Sequence, residues 1–123
     1  MEVLMYNIGN KKAAGIKLLC STLGIGYRTV EPEDFGRPIG VLLGVSDSTE
    51  NKDGSFFDDE MLYFSDIQGG MLDILLTQLR RRKLTVALKA IKTETNLGFT
   101  SCELAKELKA EREAIQKGIT AHT

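Results

Sequence analysis

The chain has 123 residues, of which 42% are hydrophobic and 27% charged, with a formal net charge of −1 at neutral pH. That length suits one folding domain, and the composition excludes the disordered, collagenous and disulfide-rich classes. The charge is unevenly spread: residues 1–30 hold four bases and one acid, 31–66 two bases and ten acids, and 67–123 ten bases and six acids. An acidic middle repels polyanions through its own field, which weighs against nucleic acid as a partner.

Val3 to Ile8 is short, apolar and rich in strand formers, and the turn residues that overlap its end close it off. From Lys11 onward Ala14, Leu18, Leu19, Cys20 and Leu23 recur at helical spacing, with Gly24 and Gly26 as stop signals. Tyr27 to Val30 reads as a second strand, and Pro32, Asp34 and Gly36 mark a break. Ile39 to Leu43 fits a short buried helix opening near Pro38. The longest apolar run, Ile39 to Val45, is far too short for a membrane span, and the opening MEVLMYNIGN lacks the regions of a secretory signal. The expectation is a cytoplasmic protein with no membrane partner.

Residues 46–59 are polar and acidic around an Asp-Gly pair and read as a solvated linker. Met61 to Phe64 then repeats the strand signal. Ser65 with Gln68 has the spacing of a capping box, and Met71, Leu72, Leu75, Leu76 and Leu79 form the apolar stripe of the helix that follows. Leu84 to Ile91 is the fourth strand. Thr100 with Glu103 gives a second capping-box pattern, and Leu104, Leu108 and Ile115 carry a last helix that frays after Lys117.

The chain therefore reads as a single domain, 1–123, made of two similar halves, 1–45 and 60–117, on either side of the linker. Leu4 to Asn7 align with Leu62 to Ser65, and Asp34-Phe35-Gly36 with Asn96-Leu97-Gly98. The drift in register between these anchors places a small insertion in the second half. Two βαβ halves predict an α+β fold. If each half's strands bracket a strand of the other, the result is a ferredoxin-like two-layer sandwich with both main helices on one face. The alternation of Tyr27, Arg28, Thr29 and Val30 favours that arrangement, because a sheet with one wet face alternates. The alternative is an open α/β sheet in which the strands of each half are neighbours.

Few residues invite chemistry. Cys20, Cys102 and His122 are too few and too scattered for a metal set, and each cysteine falls in a helical pattern where a buried thiol is the common case. Neither metal nor cofactor is expected, and no catalytic residues stand out. Arg80 to Lys83 is the densest positive charge, but it falls at a helix C-terminus, where bases complement the dipole. Taking Thr49 as the first position, Asn51, Asp53, Gly54 and Glu60 fall on calcium-loop spacing, without the leading aspartate or the flanking helices, so calcium binding stays open against the plain linker reading. Gly36, Gly40 and Gly44 recur every fourth residue and fit close packing of a short helix, not a phosphate loop. The most polar feature at a strand end is Lys92, Thr93, Thr95 and Asn96, leading to Thr100. A helix N-terminus with nearby hydroxyls and amides can hold a small anion, and turn and capping duties explain the same residues.

At Met61 to Phe64, Lys89-Ala90, Thr93 to Asn96 and Thr100 to Glu111, the sequence resembles an uncharacterised bacterial family, domain of unknown function thirty-seven eighty-three. The likeness covers the second half well and the first half loosely, with Phe99 where the family pattern has Trp. It implies a small bacterial cytoplasmic protein and brings no activity or functional residues. The resulting expectation is a non-catalytic binding or regulatory module, more simply not an enzyme. The alternatives are a small enzyme or enzyme subunit using loop 92–96, and a protein-interaction module that self-associates as a homo-oligomer.

Overall fold

The computed structural model describes residues 1–46 and 56–121, the last six of these by backbone alone. Four strands and four α-helices alternate: β1 Glu2–Tyr6, α1 Asn10–Leu23, β2 Gly26–Thr29, α2 Ile39–Leu42, β3 Met61–Ser65, α3 Gly69–Arg81, β4 Leu88–Ile91 and α4 Ser101–Ala121. Short 3-10 turns at Pro32–Asp34 and Asn96–Gly98 precede α2 and α4. The calcium-loop residues Thr49, Asn51, Asp53 and Gly54 lie outside the described residues.

The mixed α+β class and the open sheet are as expected, while the strand order is not that of the interleaved sandwich. The order is β2-β1-β3-β4, with β1 parallel to β2, β3 parallel to β4, and β1 antiparallel to β3. Each half's strands are neighbours, as in the open-sheet alternative. The misleading signal was the alternation in Tyr27 to Val30. The strand there, β2, is an edge strand with all four residues exposed, so its pattern reports an edge and not a wet face. The central strands carry the informative signal. Val3 to Tyr6 and Met61 to Phe64 are unbroken apolar runs, and all eight residues are buried, as strands dry on both faces should be.

The contacts divide the chain into two compact units, Met1–Glu31 with Asp58–Lys92, and Pro32–Phe57 with Thr93–Thr123. The first unit holds the whole sheet with α1 and α3. Val3, Met5, Leu62 and Phe64 project from one face into a cluster with Ile16, Leu19 and Cys20 of α1 and Leu72, Leu75 and Leu79 of α3. Both main helices thus pack on one face. In the second unit Phe35, Ile39, Leu104 and Ala105 are buried, and α2 meets the segment before α4 through the Ile39 N–H donating to the Phe99 carbonyl at 2.8 Å. Gly40 fits there because a Cβ would lie 2.8 Å from the Ser46 hydroxyl and 3.3 Å from the Leu97 carbonyl oxygen.

Backbone bonding in the two strand-helix-strand segments of the first unit matches in detail. Asn7 and Asp66, 59 positions apart, both have positive φ after a central strand. Ala13 N–H to Gly9 C=O (2.8 Å) matches Leu72 to Gln68 (2.7 Å), and Ile25 to Cys20 (2.8 Å) matches Leu84 to Leu79 (2.8 Å) at the same spacing. Beyond that point the spacing is 62: Gly26 to Met1 corresponds to Leu88 to Glu60, and Val30 to Met5 to Lys92 to Phe64. The second segment thus carries three extra residues, Thr85 to Ala87, between α3 and β4. In the β1–β3 ladder Leu4 faces Tyr63, its counterpart at the 59-residue spacing and one residue beyond the Leu62 with which the sequence alignment pairs it, so the pairing is centred there.

Sequence boundaries shifted in two places. The fourth strand begins at Leu88, after the three-residue excess. The Ser65–Gln68 capping box does not form: Ser65 is buried in β3, and α3 starts after Gln68 without a side-chain cap. Ser65 is committed to the ladder one residue before the chain turns through the left-handed Asp66, so it cannot swing over the helix start.

Both helix ends use a left-handed residue, Gly24 after α1 (φ 72°) and Lys83 after α3 (φ 58°). Only glycine adopts that conformation without a steric cost. Lys83→Gly is expected to stabilise the protein by about 1 kcal/mol and Gly24→Ala to destabilise it by a similar amount, read by urea unfolding.

Candidate functional site

The polar stretch after β4 resolves into three local arrangements. Lys92 directly follows β4, its N–H donating to the Phe64 carbonyl at 2.9 Å, and its ammonium hydrogen-bonds and ion-pairs with Asp66. That hydrogen bond, with the lysine's charge, holds the Asp66 carboxyl below the usual carboxylate range. Burial, reinforced by the Asp66 charge, pushes the neighbouring Tyr63 hydroxyl up to about 12, so it stays neutral at physiological pH.

In the second unit Thr93 and Asn96 bond each other reciprocally. The Thr93 N–H donates to Asn96 Oδ1 at 2.9 Å, and the Asn96 N–H donates to Thr93 Oγ1 at 3.0 Å. This closes the 3-10 turn at Asn96–Gly98, with Thr95 exposed at its start. Thr100 and Glu103 make the capping box expected from sequence: the Thr100 N–H donates to Glu103 Oε1 at 2.8 Å and the Glu103 N–H to Thr100 Oγ1 at 3.1 Å. Thr100 is fully buried. Thr93 and Asn96 are therefore brought together, Thr100 joins Glu103, and Lys92 joins Asp66. The geometry of each arrangement is that of a turn, a cap or an ion pair.

Sequence reading missed two features because both depend on elements far apart in the chain. One is a groove of about 570 Å³ in the second unit, between Phe56-Phe57 and one stripe of α4 containing Cys102, Ala105, Lys106, Lys109 and Glu113. Phe57 packs tilted against buried Phe35 with ring centres 4.7 Å apart, and Phe56 stacks on the same ring at 5.8 Å. The paired phenylalanines form an aromatic wall on Phe35, while Phe56 keeps 64% of its surface exposed. The other is a smaller cavity of about 120 Å³ in the first unit, lined by Leu62, Leu76, Leu79, Arg80, Thr85, Val86 and Lys89.

The basic run behaves as a helix end requires: Arg80 and Arg81 lie in the last turn of α3, and Arg82 caps it. Lys12, in the first turn of α1, opposes that helix's dipole, and it is held instead by Glu60 at 2.8 Å and the Thr85 carbonyl at 3.0 Å. Cys20 is buried and unbridged, and burial raises its thiol to about 11. Among the described residues no group of three or more His, Cys, Asp or Glu is placed to hold a metal ion, and no helix is long and apolar enough to cross a membrane.

By fold the chain is a mixed α+β protein with an open four-stranded sheet built from two strand-helix-strand segments. Residues 60–115, from β3 into α4, match the family described as Domain of unknown function (DUF3783). No curated protein and no solved structure matches the chain significantly.

Two outcomes test these assignments. Thr100→Ala is expected to cost about 1–2 kcal/mol in urea unfolding, and Thr100→Ser clearly less, because serine keeps the cap oxygen. With its thiol near 11, Cys20 carries about one thiolate in a thousand at pH 8. A disulfide reagent at that pH should label half-exposed Cys102 promptly and Cys20 only on unfolding.

Proposed function

We propose that the protein is a non-catalytic binding module whose ligand surface is the groove along α4. The groove itself carries this reading. It is large enough for a small organic molecule, its wall is aromatic, and its α4 side offers two small residues, Ala105 and Ala110, edged by charges of both signs. Such a lining favours an amphipathic ligand whose flat apolar part lies against Phe56 while its polar end meets the charged edge. The side chains of Lys92, Thr93, Asn96 and Thr100 are engaged in ion-pair, turn and cap geometry, which supports binding elsewhere over catalysis at this loop.

We read the chain as a bacterial cytoplasmic protein, in keeping with the family resemblance of its second half. The two strand-helix-strand segments are read as an internal repeat. Their paired caps and ladder bonds support common descent of the two segments, and the match to the family begins where the second segment begins.

Anilinonaphthalene sulfonate, a flat apolar dye with one anionic group, is a suitable probe of the groove. Its fluorescence should rise on mixing with the folded protein, and its affinity should fall about tenfold in Phe56→Ala and in Ala110→Trp, both at exposed positions. Equal dye binding by the wild type and both variants would refute the groove assignment.

A further inference from the structure

The smaller cavity lies beside the β4 edge of the sheet. β4 is the last strand in the order, and among the described residues only β3 pairs with it. The Leu88 and Lys92 N–H groups donate to the β3 side, to Glu60 and Phe64. Because main-chain direction alternates in a parallel ladder, the N–H and C=O of Lys89 point away from β3, along the outer edge. The Lys89 side chain shares a face with its partner Leu62, the face covered by α3, and Lys89 is exposed.

On that face the cavity has an apolar floor of Leu62, Leu79 and Val86, with Leu76 at its side. Its volume of about 120 Å³ corresponds to about four waters, or one branched aliphatic side chain. The two charged residues lining it, Arg80 and Lys89, are both basic, and Arg81, Arg82 and Lys83 follow directly along the chain. No acid lines it, and Glu60, at the start of β3, is already bound by Lys12. Thr85 and Val86 belong to the three residues by which the second segment exceeds the first.

We propose that the β4 edge is a docking site for an extended acidic segment of a partner protein. The segment pairs with the outward N–H and C=O of Lys89, drops one branched aliphatic side chain into the cavity, and sets its flanking carboxylates against Arg80 and Lys89. An edge strand beside a side-chain pocket is the arrangement by which strand addition combines main-chain affinity with side-chain selectivity. Two bases around an apolar hole select carboxylates on either side of the anchor. This site is separate in sequence and in lining residues from the α4 groove.

The test uses the full chain and a fluorescent peptide of about nine residues, with leucine at its centre, valines beside it and glutamates at both ends. Controls are the same peptide with lysines for the glutamates and a single-stranded oligonucleotide carrying the same dye. Anisotropy should show the acidic peptide binding, weakening with added salt, and binding at least about tenfold more weakly to Lys89→Pro and to Arg80→Glu. Lys89→Pro removes only an outward donor and one charge, so the bonds to β3 persist. Lys89→Gln should lose less than Lys89→Pro, since it retains the N–H. Melting curves of the variants establish that they fold, and Arg80→Glu, at an exposed helix position, carries the test if the proline variant does not. Phe56→Ala should leave peptide binding unchanged, separating this site from the groove. The proposal fails if the lysine peptide binds as well as the acidic one, if only the oligonucleotide binds, or if Arg80→Glu binds the acidic peptide as the wild type does.

Discussion

The antiparallel pairing of β1 with β3 is the constraint on which the rest of the first unit depends. Glu2 to Tyr6 run against Ser65 to Met61, joining segments separated by nearly half the chain. The two strands are buried almost throughout, so their amides and carbonyls have no water to turn to and must bond within the sheet. Each parallel partner, β2 and β4, is only four residues long and makes its ladder with one of these two strands. A four-residue parallel ribbon is not stable alone, so both edges rely on the central pair. The helices follow the same logic, because α1 and α3 bury their apolar stripes on the face that Val3, Met5, Leu62 and Phe64 present.

The loop chemistry shows why polar residues at a strand end are ambiguous in sequence. Threonine and asparagine can meet a ligand with the same hydroxyl or amide that closes a turn. Here the partners are three residues away: Asn96 for Thr93, and Glu103 for Thr100. Each bond satisfies a backbone donor at the start of a 3-10 turn or α-helix, where four such donors otherwise need partners. Open surface is found elsewhere, where aromatic or aliphatic side chains border charged ones.

Much of the fold was legible because it is written in local signals. The periodicity of Leu72, Leu75 and Leu79 gave α3, Gly24 gave the end of α1, and Thr100 with Glu103 gave the start of α4. Strand order was less legible. The exposed alternation of Tyr27 to Val30 outweighed the continuous apolar runs of the central strands, although the latter carried the information on burial. The Ser65–Gln68 spacing was a false cap, because strand membership takes precedence over a local side-chain bond. The α4 groove and the β4 cavity were illegible for a different reason. Phe56 is about fifty residues from Cys102, Leu62 is more than twenty from Val86, and nothing in either local stretch tells which distant residue will face it.

The position of β1 has a consequence for how the protein is made. β1 is a central strand of the sheet, yet its antiparallel neighbour is translated only after some fifty further residues. At synthesis rates of about 5–20 residues per second, Val3 to Tyr6 wait for several seconds with one ladder edge unfilled, paired at most with β2. During that interval the nascent chain presents a short apolar edge that any other strand could occupy. Slowing translation between residues 30 and 60 should therefore lower the soluble yield, whereas slowing it after β4 should have little effect.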